Sequence, residues 1–266
     1  MRRATFAPTG VAVVVRVGEV LGPAVVRCLA YGDAMSDLTT SRVNRAGQRI
    51  RRIARGQESD SERLAAAIDI LVGFRALHAI PLQTATRGLR SAVTSERLPV
   101  QVSQRLKRVP TIIDKLLREP TLPLSRMQDI GGCRAILPTI PDIRAVQERL
   151  ARPSRARELV AVSDYIEDPR DSGYRGVHLI MLYRGRIVEI QLRTPVMHEW
   201  AATVERLTDR FGEDYKGAWH PFVGPFLAVV SEAMSIEESG GSVGASLVTE
   251  VDRQRIIMGR YLQGRH

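Results

Sequence analysis

Val177-His178-Leu179-Ile180-Met181-Leu182-Tyr183-Arg184-Gly185-Arg186-Ile187-Val188-Glu189-Ile190-Gln191-Leu192-Arg193 reads as a β-hairpin. Two apolar, β-branched runs, Val177–Tyr183 and Arg186–Arg193, are separated by the two-residue turn Arg184-Gly185, the spacing a tight hairpin needs. In the second run, period-two alternation puts Val188, Ile190 and Leu192 on one face and Glu189, Gln191 and Arg193 on the other. A carboxylate, an amide and a guanidinium in a row suit metal and phosphate binding, although a solvated strand face carries the same pattern. The neighbouring residues favour the former. His178 follows Tyr174 and Arg175, just after the charged turn Asp168-Pro169-Arg170-Asp171-Ser172-Gly173.

Outward from the hairpin, Asp129–Leu137 and Leu159–Tyr165 read as further strands, with a helix over Pro141–Leu150 between them. Pro195 opens a helix running to about Phe211, since proline suits a first helical turn. Towards the N-terminus, helices are expected over Ser41–Arg55, from Asp60-Ser61-Glu62 through the apolar face Leu64, Ala67, Ile68, Leu71 and Val72, from Pro81 to Ser95, and over Thr111–Arg118. Arg105-Leu106-Lys107 reads as a loop approaching the last of these. Residues 217–266 read as two helices flanking Gly240-Gly241-Ser242. The expected fold is α+β: a mixed β-sheet flanked by helices, with N- and C-terminal helical additions. The expected boundaries are a poorly ordered extension over 1–34, with Met35 close to the domain start, a domain over 35–216, and a helical tail over 217–266.

The 266 residues are 44% hydrophobic and 26% charged, enough for a core and unlike a disordered chain. Cys28 and Cys133 have no metal-ligand spacing and form no disulfide framework, which fits a cytoplasmic protein. Uninterrupted apolar runs fall short of the roughly 18 residues of a membrane span, and Arg16 and Glu19 break Val11–Val20, so neither membrane insertion nor a signal peptide is expected. Net charge is +10, unevenly spread: residues 35–128 hold 17 Lys+Arg against 8 Asp+Glu, and residues 199–252 hold 3 against 10. The basic half suits a polyanion such as nucleotide phosphates or RNA. Arg42, Arg45, Arg49, Arg52 and Arg55 are candidates for an RNA patch. Only three cations are lysines, Lys107, Lys115 and Lys216, so two falling at Lys107 and Lys115, with Thr111 between them, mark a candidate triphosphate grip.

No G-x-x-x-x-G-K-[ST] loop, no G-x-G-x-x-G and no His-Asp dipeptide occurs, which removes P-loop and Rossmann readings and a His-built hydrolase. Asp129 and Glu189, 60 positions apart, are candidate ligands for Mg²⁺, which takes one or two carboxylates plus substrate phosphates. A cap or turn role for Asp129 is the alternative. Gly131 and Gly132 leave room for a ligand's close approach.

Arg105-x-Lys107-x-x-x-Thr111-x-x-x-Lys115, Met127-Gln128-Asp129-Ile130-Gly131-Gly132-Cys133-Arg134, Asp164-Tyr165-Ile166, Ser172-Gly173-Tyr174-Arg175-Gly176-Val177-His178 and Val188-Glu189-Ile190-Gln191-Leu192-Arg193-Thr194 resemble, in order and spacing, the synthetase domain of RelA/SpoT proteins. The match covers roughly residues 60–210, and the chain looks like a stand-alone small alarmone synthetase without the hydrolase domain. The resemblance implies a nucleotidyltransferase-like fold and transfer of the β,γ-pyrophosphate of ATP to a ribose 3′-hydroxyl, releasing AMP. It implies that Arg105 and Arg134 sandwich adenine and that Lys107, Thr111 and Lys115 hold the phosphates. Asp129 and Glu189 would bind Mg²⁺, with Glu189 also taking the hydroxyl proton. Tyr174 would stack on the acceptor base, with His178 and Gln191 beside it. Ser172 and Thr111 stand where many members carry Asn and Ser, and the region before Glu205 holds one residue more than in small members, leaving that side chain's role open.

Three functions follow as expectations. The first is synthesis of (p)ppGpp from ATP and GDP or GTP. The second is the same chemistry on the 3′ CCA end of tRNA, as in toxins of this family, with an antitoxin as partner. The third is an inactive module that binds nucleotide or RNA. Assembly through the C-terminal helices is a further expectation from relatives.

Overall fold

The hairpin forms as its alternation dictates. In the computed structural model, which describes residues 38–97, 101–213, 215 and 219–264, the strands are β1 (Gln101–Leu106), β2 (Gly131–Ile136), β3 (Glu158–Asp164), β4 (Val177–Tyr183) and β5 (Arg186–Arg193). The helices are α1 (Thr40–Ala54), α2 (Ser61–Ala76), α3 (Ala79–Ser95), α4 (Val109–Arg118), α5 (Ile140–Ala151), α6 (Pro195–Phe211), α7 (Gly224–Glu238) and α8 (Ala245–Gln263). Arg184 and Gly185, with φ of 47° and 74°, supply the left-handed turn that matches the twist of paired strands. The sheet runs β1-β2-β5-β4-β3. β2 and β5 pair in parallel, and the other neighbours pair antiparallel, so the sheet is mixed as expected.

One face of the sheet is the main core. Cys133, Ala135, Leu179, Met181, Val188, Ile190 and Leu192 are buried with Leu82, Ala85 and Leu89 of α3 and Ile143, Val146 and Leu150 of α5. Thr139 fixes the start of α5 through a reciprocal cap: its hydroxyl accepts from Asp142 N at 3.3 Å, and Asp142 Oδ2 accepts from Thr139 N at 3.0 Å. A second cluster gathers Trp200, Ala201 and Val204 of α6, Val223 and Leu227 at α7, and Tyr174 and Tyr215.

The chain divides into two compact units. The second comprises Leu77–Lys107 and Gln128–His266 and contains the whole sheet. The first contains α1, α2 and α4, whose shared core includes Val43, Ile50, Leu71, Phe74, Ile112 and Leu116. A buried arginine ties this unit together. Arg51 donates from Nε to the Leu116 carbonyl at 2.7 Å and from Nη2 to the carbonyls of Glu119, at 3.2 Å, and Leu122. It thereby satisfies carbonyls at and beyond the C-terminal end of α4, groups a helix leaves orphaned. Burial lowers its pKa. Of the arginines proposed as an RNA patch, Arg45, Arg52 and Arg55 are exposed and Arg42 and Arg49 half-buried. Glu58 meets Arg49 at 3.4 Å and Arg52 at 3.2 Å.

Two features depart from the sequence reading. Arg105 and Leu106 end β1, a short polar edge strand without the apolar run that announces β4, and only Lys107 lies in the connection to α4. The helical stretch Ser61–Ser95 holds an 18-residue window of mean hydropathy 1.5, apolar enough by composition to cross a membrane, with 33% of the window buried. Its α3 half packs Leu82, Ala85, Leu89, Ala92 and Val93 into the core, the behaviour of a core helix. The expected extension over 1–34 and the expected domain start near Met35 lie outside the described residues, as do Cys28 and Lys216.

Arg51→Ala should destabilise the chain by about 2–4 kcal/mol, because buried carbonyls lose charge-assisted bonds, whereas Arg45→Ala should stay within about 0.5 kcal/mol. Chemical denaturation of both variants measures this, and equal stabilities would refute the structural role of Arg51.

Candidate active site

Register decides which side chains share the sheet's other face. Arg105 on β1 pairs with Gly132, and Ser103 with Arg134. Across the parallel pair, Gly132 meets Glu189, Arg134 meets Gln191 and Ile136 meets Arg193. His178 on β4 pairs with Gln191. Paired residues project to the same side, so Arg105, Arg134, His178, Glu189, Gln191 and Arg193 stand on one face. Gly132 lies between Arg105 and Glu189, where an added Cβ would meet nothing closer than the Glu189 carbonyl at 3.8 Å. The missing side chain keeps the surface low between Arg105 and Glu189.

Four of these groups and one loop residue, Tyr174, close a circuit of hydrogen bonds. Arg193, 1% exposed, donates to the Tyr174 hydroxyl from Nε at 3.1 Å and from Nη2 at 2.8 Å. That hydroxyl lies 2.5 Å from His178 Nε2, and His178 Nδ1 lies 2.9 Å from Glu189 Oε1. On the other side, Arg193 Nη2 donates to Gln191 Oε1 at 2.8 Å, and Gln191 Nε2 donates to Glu189 Oε2 at 2.7 Å. A guanidinium only donates and a carboxylate only accepts, which fixes the polarity of the path through Gln191. On the other path, a neutral His178 takes the Tyr174 proton at Nε2 and carries its own on Nδ1, facing Glu189. Each carboxylate oxygen of Glu189 thus receives a donor, and the one negative charge is balanced through two paths by one positive charge. Gly176 (φ 147°) permits this closeness, since an added Cβ would sit 3.3 Å from the Tyr174 hydroxyl and 3.2 Å from Arg193 Cγ.

Lys107 Nζ donates to Asp129 Oδ2 at 3.0 Å, with both side chains mostly buried. The β2–β5 register brings Asp129 to three residues before the partner of Glu189, although the two are 60 positions apart in the chain. Their oxygens are the hard donors that Mg²⁺ takes. Among the described residues, no group of three or more His, Cys, Asp or Glu side chains gathers around a metal position. Two carboxylates are the donor type for an ion that takes its other ligands from water and nucleotide phosphates.

Beside this face, Arg134 Nε and His198 Nδ1 are buried without hydrogen-bond partners. Burial, then the charge of Arg193, lowers the pKa of Arg134, and burial, then the charge of Arg134, lowers that of His198. Glu205, seven residues further along α6, exerts the opposite pull on both, which gives this residue a setting the sequence left open. The unpaired guanidinium N–H of Arg134 is a donor that suits a planar base or a phosphate.

Thr111 and Lys115 lie four residues apart on α4 of the first unit, with Lys115 Nζ 4.0 Å from Glu119. Tyr174 departs from its expected role. It is 1% exposed, flanked edge-on by Tyr165 at 5.6 Å and His178 at 5.5 Å and tilted against Trp200 at 6.2 Å. In this conformation no face is open to a purine, because α6 and α7 cover the ring. Sequence reasoning placed Arg193 on the face but missed its bond to Tyr174, and it missed His198 altogether. An arginine breaking the apolar close of a strand was the available signal.

Comparison with known proteins agrees with this fold. Residues 104–208 match the model of a region found in RelA / SpoT proteins. GTP pyrophosphokinase YjbM of Bacillus subtilis is 33% identical over 144 residues, which cover 49% of this chain and 67% of that protein. YwaC, a GTP pyrophosphokinase of the same organism, is 31% identical over 41% of this chain and 58% of its own length. The crystal structure of B. subtilis small alarmone synthetase 1, bound to its product pppGpp, is similar with a TM-score of 0.53 and 30% identity, covering 63% of this chain and 90% of that one.

Tyr174→Phe keeps the aromatic ring and deletes the link between Arg193 and His178. It should lower kcat about tenfold, the equivalent of a lost hydrogen bond of ~1.4 kcal/mol. Wild-type kcat in steady-state assays would show that the hydroxyl does not organise the site.

Proposed function

The chain belongs to the RelA/SpoT family, and on that premise we propose that it is an ATP-dependent pyrophosphokinase making (p)ppGpp from GDP or GTP. The acceptor's 3′-oxygen attacks the β-phosphorus of ATP, the bond from that phosphorus to the α,β-bridging oxygen breaks, and AMP leaves with the electron pair. Glu189 takes the hydroxyl proton. The observation that carries this reading is the Glu189 carboxylate held on a sheet face that it shares with Arg105, Arg134 and Arg193, since pyrophosphoryl transfer chiefly needs a base in reach and positioned cations. The names of the relatives support it.

In this reading Arg105 and Arg134 hold adenine, and Lys107, Thr111 and Lys115 hold the phosphates. His178 and Gln191 serve the acceptor side and aim Glu189. Asp129 and Glu189 would hold Mg²⁺ together with those phosphates, and the ion would neutralise charge developing on the transferred group. Lys107 and His178 then act as counter-groups that keep the two carboxylates oriented before nucleotide arrives. Tyr174 supports His178 here and reaches the acceptor base only if its loop moves. The proposed setting is the cytoplasm. Self-assembly through the C-terminal helices belongs to the proposal, supported by Val248 and Ile256 on α8, which are 49% and 50% exposed.

A second reading keeps the chemistry and takes the tRNA 3′ end as acceptor, with a neutralising antitoxin as partner. The exposure of Arg45, Arg52 and Arg55 favours it, because an acceptor stem needs phosphate contacts outside the nucleotide pocket. Incubating the protein with labelled ATP, Mg²⁺ and either GDP/GTP or deacylated tRNA separates the readings. Label on guanine nucleotide is the expected result, label on tRNA selects the second reading, and label on neither leaves an inactive binding module.

Glu189→Gln should lower kcat at least about 100-fold, the scale of lost general-base catalysis, with ATP affinity within a few-fold of wild type. Turnover at the wild-type rate would refute the assignment. If tRNA is the acceptor, neutralising Arg45 and Arg55 together should make the log–log salt dependence of binding shallower by roughly 0.7–0.9 per arginine. An unaltered slope would exclude this helix from the contact.

A further inference from the structure

The loop Ser172–Gly176, which carries Tyr174 into β4, is fastened to α7. Ser231 donates its hydroxyl to the Gly173 carbonyl at 2.5 Å. Gly173 (φ 85°) lies so near the helix that an added Cβ would fall 2.7 Å from Ser231 Cβ and 2.9 Å from the Leu227 carbonyl. The third tie is ionic: Arg175 Nη1 meets Glu238 Oε2 at 3.2 Å, with both side chains 10% exposed. The other Glu238 oxygen, Oε1, accepts from the Thr194 hydroxyl. Thr194 is also the N-cap of α6, accepting from Met197 N at 3.3 Å.

The two partners of Glu238 occupy particular places. Arg175 follows Tyr174 directly and Thr194 follows Arg193 directly, and Tyr174 and Arg193 are bonded to each other in the circuit that anchors Glu189. One carboxylate therefore spans the two backbone segments whose separation sets the Arg193–Tyr174 bond. Without it, a nearly buried guanidinium on the loop would lose its counter-charge, and the loop would lose its tie to the end of β5. Glu238 lies 30 residues beyond the matched region that ends at residue 208.

We propose that Glu238 is a positioning residue: it fixes the loop Ser172–Gly176 against the end of β5 and so shapes the acceptor side of the site. The link to the acceptor rests on the functional reading above, whereas the mechanical link does not. The test uses the full chain with Glu238→Ala, which loses both bonds, and Glu238→Gln, which keeps an oxygen for Thr194 and loses the charge facing Arg175. Amide hydrogen exchange of residues 172–176 should speed up at least tenfold in Glu238→Ala, with β5 amides within twofold of wild type. Acceptor KM should rise about tenfold while the ATP dissociation constant stays within twofold, and Glu238→Gln should fall between. A smaller folded fraction would scale kcat without moving KM, so the KM readout separates positioning from general damage. Should the alanine variant not fold, the glutamine variant carries the same measurements.

Unchanged exchange of the loop overturns the clamp, whatever the acceptor. A loosened loop with an unchanged acceptor KM overturns its link to acceptor binding. Wild-type protein that labels neither guanine nucleotide nor tRNA overturns the pyrophosphokinase reading, and the exchange result still decides the clamp.

Discussion

A guanidinium that is 1% exposed has to find its acceptors inside the protein, and for Arg193 those acceptors determine the site. Its donors fall on the Tyr174 hydroxyl and the Gln191 carbonyl oxygen, and each acceptor passes a proton-donating contact on towards Glu189. The buried positive charge is never in direct contact with the negative one among these bonds. It is transmitted through neutral groups whose polarity it dictates. Partial satisfaction of such a network would be worse than an apolar core, because buried polar groups left unmatched are costly. Complete satisfaction gives Glu189 one orientation.

The sheet makes this arrangement possible by separating two jobs. One face, built on Cys133, Ala135, Val188, Ile190 and Leu192, supplies the hydrophobic stability. The other is released to hold polar groups from β1, β2, β4 and β5 in fixed register. A helix would spread the same residues around its axis. On strands, paired positions form rows across neighbours about 5 Å apart, so Arg134, Gln191 and His178 become lateral neighbours in one row and Arg105, Gly132 and Glu189 in the next, despite their distance in the chain. Gly132 keeps the middle of that surface low. Helices α6 and α7 close one end of it, which is why Tyr174 is a core residue here as well as a loop residue.

Much of this was legible in the sequence, for reasons that differ by element. The hairpin and α6 have the expected limits because unbroken alternation and an initial proline are strong local signals. β1 was not read as a strand, because an exposed edge strand of polar residues has no such pattern. Glu189, Gln191 and His178 were identifiable as polar groups in otherwise apolar strands, and the family resemblance named the same residues. Glu238 was invisible, since its partners lie 63 and 44 residues away and nothing local marks it. The burial of Tyr174 was equally hidden, because part of its cover is a helix that begins at Gly224.

The proton on His178 tests the account most directly. Nitrogen-15 NMR of the uniformly labelled protein, with His178 assigned by difference against a His178→Gln sample, reports which ring nitrogen is protonated. The circuit requires hydrogen on Nδ1, facing Glu189, and a bare Nε2 receiving the Tyr174 hydroxyl. A neutral ring protonated on Nε2 would mean that Tyr174 does not donate to it, and the chain of bonds from Arg193 to Glu189 would not exist.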